Sequence, residues 1–83
     1  MINKVIKTIE EFLNGNIQKD VFIKKLHKLI DKNHEKLYKE DEEVEDLITN
    51  ELIEICDKNI RNSEEFMEEI SAIFEEIKII IEL

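Results

Sequence analysis

The sequence predicts an all-α protein, a single antiparallel four-helix bundle formed by residues 1–83. The chain has no proline and one glycine, so few residues interrupt helices, and its abundant Glu, Lys, Leu and Ile are compatible with helix. Four stretches repeat apolar residues at steps of three and four, the period of one helix face. No stretch alternates apolar and polar residues for long enough to indicate a strand. A chain of 83 residues permits one compact domain.

The first helix is predicted near residues 2–14 and is expected to end at Gly15, the only glycine of the chain. Glycine just past a helix end adopts a left-handed backbone conformation without the penalty that a Cβ atom brings. We therefore expect a positive φ at Gly15 and a tight corner between antiparallel helices.

The second helix is predicted to begin near residue 18. Gln18 or Asn16 is expected at the cap position, although glutamine is a poor cap. Ile17 and Phe22 then have the spacing of a hydrophobic staple. The apolar spacing weakens after residue 32, so the pattern allows two ends for this helix, near Asn33 or at Tyr38.

The connection to the third helix is expected in residues 31–43, which are rich in charge. The third helix is predicted near residues 43–59 and the fourth near residues 64–82. Either Asn62 or Ser63 is expected to cap the fourth helix. Acidic residues in its first turn are favoured by the helix dipole.

The apolar faces predict the core, and Cys56 lies on the third of these faces as a buried small hydrophobe. As the only cysteine, it cannot form an internal disulfide, which together with the lack of a signal-peptide pattern favours a cytoplasmic location. Four further apolar residues lie off these faces and are candidates for self-association: Ile23, Ile53, Met67 and Ile79. The predicted core consists of Ile9, Phe12, Phe22, Leu26, Leu47, Leu52, Phe66, Ile70, Phe74 and Ile77.

Charge is distributed unevenly along the chain. Residues 1–39 carry a net charge of +4, and residues 40–83 carry a net charge of −13. Runs of acidic residues are often only a solvated face. They also produce a field that steers a basic partner towards the surface. The same charge argues against nucleic acid as a direct ligand, since binding to phosphates requires cations.

Enzyme chemistry, metals and cofactors are not expected from this sequence. His27 and His34 have no nucleophile at a recognisable spacing, and there is no glycine-rich phosphate loop. Four residues match positions of a calcium-binding loop, but Lys36 stands where that loop needs glycine. The four are Asp31, Asn33, Glu35 and Glu42.

Three segments carry a resemblance to a known family. They are "IEEFLNGNIQKDVFIKKL", "LIEICDKN" and "SEEFMEEISAIFEEI", and they resemble the first corner, the third helix and the final helix of the colicin D immunity family. The resemblance implies a small four-helix protein that neutralises a tRNA-cleaving toxin by covering its basic active cleft with acidic side chains. Relatives of this family protect against toxins delivered by contact between cells.

The resemblance and the charge pattern together predict an immunity protein that binds a basic toxin nuclease domain in the cytoplasm, as a monomer in the complex. Two alternatives stay open: a helical interaction or regulatory protein that self-associates as a homodimer, and an immunity protein against a pore-forming bacteriocin. Glu75 and Glu76 are expected to lie away from the binding surface. Tyr38 is expected to anchor the interface beside nine acidic residues: Glu40, Asp41, Glu42, Glu43, Glu45, Asp46, Glu51, Glu54 and Asp57.

Overall fold

The computed structural model describes residues 1–58 and 60–81, and within them the chain forms four helices and no strand. This confirms the predicted all-α fold class. The third helix consists of three consecutive segments, of which the middle one is π-helical. The helices are α1 (Ile2–Leu13), α2 (Lys19–Glu40), α3 (Glu42–Asp46, Leu47–Leu52 and Ile53–Asp57) and α4 (Ser63–Ile81).

The second helix ends beyond both of the positions predicted for its end, Asn33 and Tyr38. It continues through Tyr38 to Glu40, and Asp41 alone separates it from α3. The expectation of a charged connection over residues 31–43 was therefore wrong. The acidic run instead forms the end of one helix and the first turn of the next. Residues 59 and 82, predicted as the last residues of the third and fourth helices, lie outside the described residues.

The corner after α1 confirms the role predicted for Gly15. Its φ is +79°, in the left-handed region. The Gly15 N–H donates to the Phe12 carbonyl at 3.0 Å, and the Asn16 N–H donates to the Glu11 carbonyl at 2.8 Å. These two bonds are the pair that defines a Schellman motif, which satisfies carbonyls at the end of a helix.

The helix starts agree with the predicted caps in position. Gln18 precedes α2 in an extended conformation, but its side chain makes no capping hydrogen bond. Ile17 is half-buried against the core, as a hydrophobic staple requires. At the start of α4 the Asn62 side chain accepts a hydrogen bond from the Glu65 N–H at 3.1 Å, so Asn62 is the cap.

Neighbouring helices are antiparallel, because residues near the start of one helix contact residues near the end of its neighbour. Polar and charged groups make three of these contacts, and a phenylalanine pair joins the end of α1 to the start of α4. The contacts join Met1 to Glu40, His27 to Asp57, Lys58 to Glu69, and Phe12 to Phe66.

Nine of the ten predicted core residues are buried, and Leu47 is the exception. Leu47 is half-buried at the edge of the core, and its neighbour Ile48 is fully buried instead. Three phenylalanines pack together at one end of the bundle. Phe12 stacks on Phe22 with ring centroids 4.5 Å apart, and Phe66 packs edge-on against both.

The π-helical segment of α3 fits the spacing of its buried residues. Val44, Ile48, Leu52 and Cys56 are all buried and follow one another at steps of four. A step of four exceeds the 3.6 residues of an α-helical turn, so these side chains would drift around a regular helix. The wider π turn counteracts that drift and keeps all four towards the core.

Candidate protein-binding surface

Six of the ten residues predicted to bind a partner line one open depression where α2 meets α3. Its volume is about 570 Å³. One member lies in the last turns of α2, one forms the connection, and four belong to the first α-helical segment of α3. We call this the acidic depression, and its lining residues are Tyr38, Asp41, Glu42, Glu43, Glu45 and Asp46.

The start of α3 explains why carboxylates gather here. Asp41 caps the helix, because its Oδ1 accepts a hydrogen bond from the Val44 N–H at 3.2 Å. Glu42 and Glu43 follow in the first turn, where the helix dipole stabilises negative charge. An aspartate directly before an apolar periodic stretch is a helix-start signal, and it could have placed this helix start from sequence.

Three of the six side chains have structural contacts of their own, and one of these is Asp46, whose Oδ1 accepts a hydrogen bond from the Asn50 side-chain amide. Asp41 is half-buried and holds the cap. Glu45 is also half-buried, and the Thr49 hydroxyl lies 2.8 Å from its Oε1 and 2.6 Å from its carbonyl oxygen, so it can donate to either. Glu42, Glu43 and Asp46 are exposed. A partner would therefore meet chiefly these three carboxylates.

Glu40 contacts the start of α1. Its Oε1 accepts a hydrogen bond from the Met1 amino group at 2.6 Å, and its Oε2 accepts one from the Ile2 N–H at 2.9 Å. These two hydrogen bonds hold the pKa of Glu40 below its usual range, and the bond from the amino group has the larger effect. Both carboxylate oxygens are engaged within the chain, so Glu40 has little capacity left for a partner.

The three remaining predicted residues lie further along α3. Glu51, Glu54 and Asp57 are exposed but do not line the acidic depression. Asp57 lies at the opposite end of the helix, where its Oδ1 is 3.2 Å from Nε2 of His27. The acidic depression thus contains six of the ten predicted residues.

A second groove adjoins the acidic depression on the α4 side. It has a volume of about 360 Å³ and combines three carboxylates with three apolar side chains. Glu43 and Asp46 belong to both surfaces. We call this the apolar groove, and its lining residues are Glu43, Asp46, Leu47, Glu76, Ile79 and Ile80.

Exposed apolar side chains lie on both sides of the shared carboxylates. Tyr38 is 54% exposed and Ile79 is 75% exposed, so both apolar side chains are accessible to a partner. Tyr38 belongs to the acidic depression and Ile79 to the apolar groove. We refer to the two adjoining surfaces together as the acidic corner.

Sequence reasoning missed the contribution of α4 to this corner. Glu76 was expected to lie away from the acidic residues, but it lines the same groove as Glu43 and Asp46, so that expectation was wrong. Ile79 was considered only for self-association with three other residues. Those three, Ile23, Ile53 and Met67, are half-buried against the core.

The structure also bears on the calcium-loop match and on Cys56. Residues 31–40 are helical, so the calcium-loop pattern does not form a loop. Within residues 1–58 and 60–81, no group of three His, Cys, Asp or Glu side chains is placed to hold a metal ion. Burial, with a smaller effect of the Asp57 charge, raises the pKa of the Cys56 thiol to about 11.

The helices described here also do not combine the length and the apolar character that crossing a membrane requires. Comparison with protein families, with curated proteins and with solved structures gives no match for this chain.

Proposed function

We propose that this chain is an immunity protein that binds a basic toxin nuclease domain and covers its active cleft with the acidic corner. The observation that carries the proposal is the meeting of exposed carboxylates and two exposed apolar side chains on one surface. Tyr38 and Ile79 flank the shared carboxylates Glu43 and Asp46.

The shape of the corner favours a protein partner. Both of its surfaces are shallow and open, whereas small molecules bind in pockets that enclose most of their surface. In protein interfaces, buried aromatic and apolar anchors supply most of the affinity. Charges around them set the association rate and the register of docking. The corner offers both kinds of group.

The charge of the corner selects the partner. Glu42, Glu43, Asp46 and Glu76 are exposed carboxylates, and a cleft that binds the phosphates of an RNA substrate is lined by cations. Inhibition then requires only steric exclusion and charge complementarity, with no chemistry from this chain. The assignment of the partner as a tRNA-cleaving toxin met in the cytoplasm rests on the resemblance to the colicin D immunity family.

Self-association through an apolar strip has less support. Of the four residues considered for such a strip, only Ile79 is exposed. One isoleucine falls far short of the roughly 800 Å² that each partner buries in a standard interface. In the proposed complex, Ile79 instead contacts the partner on one side of the shared carboxylates, and Tyr38 contacts it on the other side.

The proposal is tested by capturing the partner from lysate of the source cells with the purified chain. The variant Glu42→Gln/Glu43→Gln/Asp46→Asn removes three exposed charges without removing the cap or the Thr49 contact. The matched control is Glu64→Gln/Glu65→Gln/Glu68→Gln, which removes three exposed charges from the first turns of α4.

We expect the wild-type chain and the control to capture the same basic protein, and addition of either chain to inhibit the ribonuclease activity of that protein. The corner variant should bind it at least about tenfold more weakly, since charge pairs at interfaces are worth 1.4 kcal/mol or more when desolvated. The affinity of the wild-type chain should fall as salt is added. An acidic partner, or an affinity unaffected by salt and by the corner variant, would show that the proposal is wrong.

A further inference from the structure

The helices α1 and α2 enclose a second charged surface, opposite in sign to the acidic corner. An open groove of about 480 Å³ runs between them. Five of its nine lining residues are lysines, and one is a carboxylate. We call this the lysine groove, and its lining residues are Lys4, Lys7, Thr8, Glu11, Lys25, Lys28, Leu29, Lys32 and Asn33.

The lysines form two parallel rows. Lys4 and Lys7, one turn apart, stand on the α1 wall, and Lys25, Lys28 and Lys32 stand on the α2 wall. The α2 row spans seven residue steps from Lys25 to Lys32, or about 10 Å at 1.5 Å per step. The groove is therefore a short channel with cations along both sides.

Most of this positive charge is uncompensated. The Lys25 ammonium lies 3.7 Å from the Glu11 carboxylate. In the described part of the chain, none of the other four lysines has a carboxylate within ion-pair distance. Like charges held on two facing rows repel one another, and a bound anion would relieve that repulsion.

The type of cation indicates how an anion would be recognised. The only arginine of the chain is Arg61, and it does not line the groove. Arginine forms paired hydrogen bonds of fixed geometry, whereas lysine acts as a point charge. The described lining also contains no aromatic side chain on which a base could stack. Recognition in the groove would thus depend on charge density alone.

Charge density distinguishes phosphate chains from acidic peptides. One nucleic-acid strand carries a charge about every 3.4 Å of its rise, so about three charges fit along the α2 row. An extended peptide directs alternate side chains to opposite faces, which spaces carboxylates on one face about 6.8 Å apart. A peptide would place only one or two charges over the same length.

We propose that the lysine groove binds a linear chain of phosphates, either the backbone of a nucleic-acid strand or inorganic polyphosphate. The overall charge of −9 does not prevent this, since charges further away than about 8 Å are largely screened at physiological ionic strength. The site is separate from the acidic corner, because the two surfaces share no residue.

The test measures binding of a fluorescent oligouridine RNA to the full chain, with inorganic polyphosphate and poly-glutamate as competitors. The groove variant is Lys28→Gln/Lys32→Gln, which removes two of the four lysines that have no ion-pair partner in the described part of the chain. The matched control is Lys24→Gln/Lys36→Gln, which removes two exposed lysines of the same helix that do not line the groove.

With about four lysines in contact with phosphates, the logarithm of the binding constant should fall with the logarithm of the salt concentration with a slope of about −3. The affinity should therefore fall about 50-fold between about 50 and 200 mM salt. The groove variant should bind more weakly, with a slope of about −1.5, and the control should match the wild type. Competition by polyphosphate as well as by unlabelled RNA identifies phosphates as the ligand. Competition by RNA alone assigns the groove to nucleic acid.

Three results would overturn the proposal: no binding at low salt, competition by poly-glutamate as strong as that by unlabelled RNA, or equal weakening in the control and the groove variant. Capture of the basic partner reports on the acidic corner independently. The groove variant should retain that capture, so failure of one proposal is distinguishable from failure of the other.

Discussion

Substitution of Gly15 by alanine should destabilise the protein by about 1 kcal/mol. The backbone φ of +79° places this residue in the left-handed region, where a side chain with a Cβ atom costs roughly 1–2 kcal/mol. Alanine also restricts the conformations of the unfolded chain, which raises the free energy of unfolding by about 0.4–1 kcal/mol. The difference between these two effects gives the expected loss.

No further contribution is expected from crowding. A Cβ atom built on Gly15 meets no heavy atom within 4 Å, so no steric clash adds to the backbone strain. Both hydrogen bonds of the corner are made by backbone groups, and alanine can retain them. For a domain of this size, 1 kcal/mol corresponds to a fall in Tm of roughly 4–8 °C.

The assay is thermal and urea unfolding followed by far-ultraviolet circular dichroism. Gly15→Asn is the control, because asparagine tolerates the left-handed conformation better than alanine does, and it should lose less stability. An unchanged or raised Tm for Gly15→Ala would refute the reasoning. So would an asparagine variant that is as unstable as the alanine variant.

Three further predictions follow from the contacts of single residues. Asp41→Ala should lower the free energy of unfolding by about 1 kcal/mol, because it removes the cap on the Val44 N–H. Asp41→Asn should retain most of that stability in the same unfolding assay. The raised pKa of Cys56, about 11, means that its stabilising effect is fully present below about pH 8.5, the ordinary thiol value, and is lost as pH rises towards 11. The free energy of unfolding should fall by about 3 kcal/mol over this range, and the stability of Cys56→Ala should not show this fall at alkaline pH. Tyr38→Ala should leave Tm nearly unchanged, since Tyr38 is 54% exposed, but should weaken capture of the basic partner; full capture would exclude Tyr38 as an anchor.

The fold was largely predictable because its determinants are local. Helix faces follow from apolar spacing, and the left-handed corner follows from the only glycine. The π-helical segment Leu47–Leu52 was not predictable in this way, since it depends on how α3 packs. Leu47, which was predicted in the core, therefore lies at its edge, and the neighbouring Ile48 is fully buried.

The candidate site was predictable only where its residues are consecutive. The acidic depression comes from a single run of the chain, so its carboxylates could be named in advance. The apolar groove requires α3 and α4 to lie side by side, and the lysine groove requires α1 and α2 to do so. No spacing within one helix indicates which residue of another helix will face it.

The second helix connects the two charged surfaces. Its lysines Lys25, Lys28 and Lys32 form one wall of the lysine groove, and Tyr38, nearly two turns further on, lines the acidic depression. Between these surfaces the field changes sign within a distance comparable to the screening length in physiological salt. A basic protein and a phosphate chain would therefore be attracted to different surfaces of the same bundle. For this reason the net charge of −9 is a poor guide to the ligands of the chain, and the local distribution of its carboxylates and lysines is the better one.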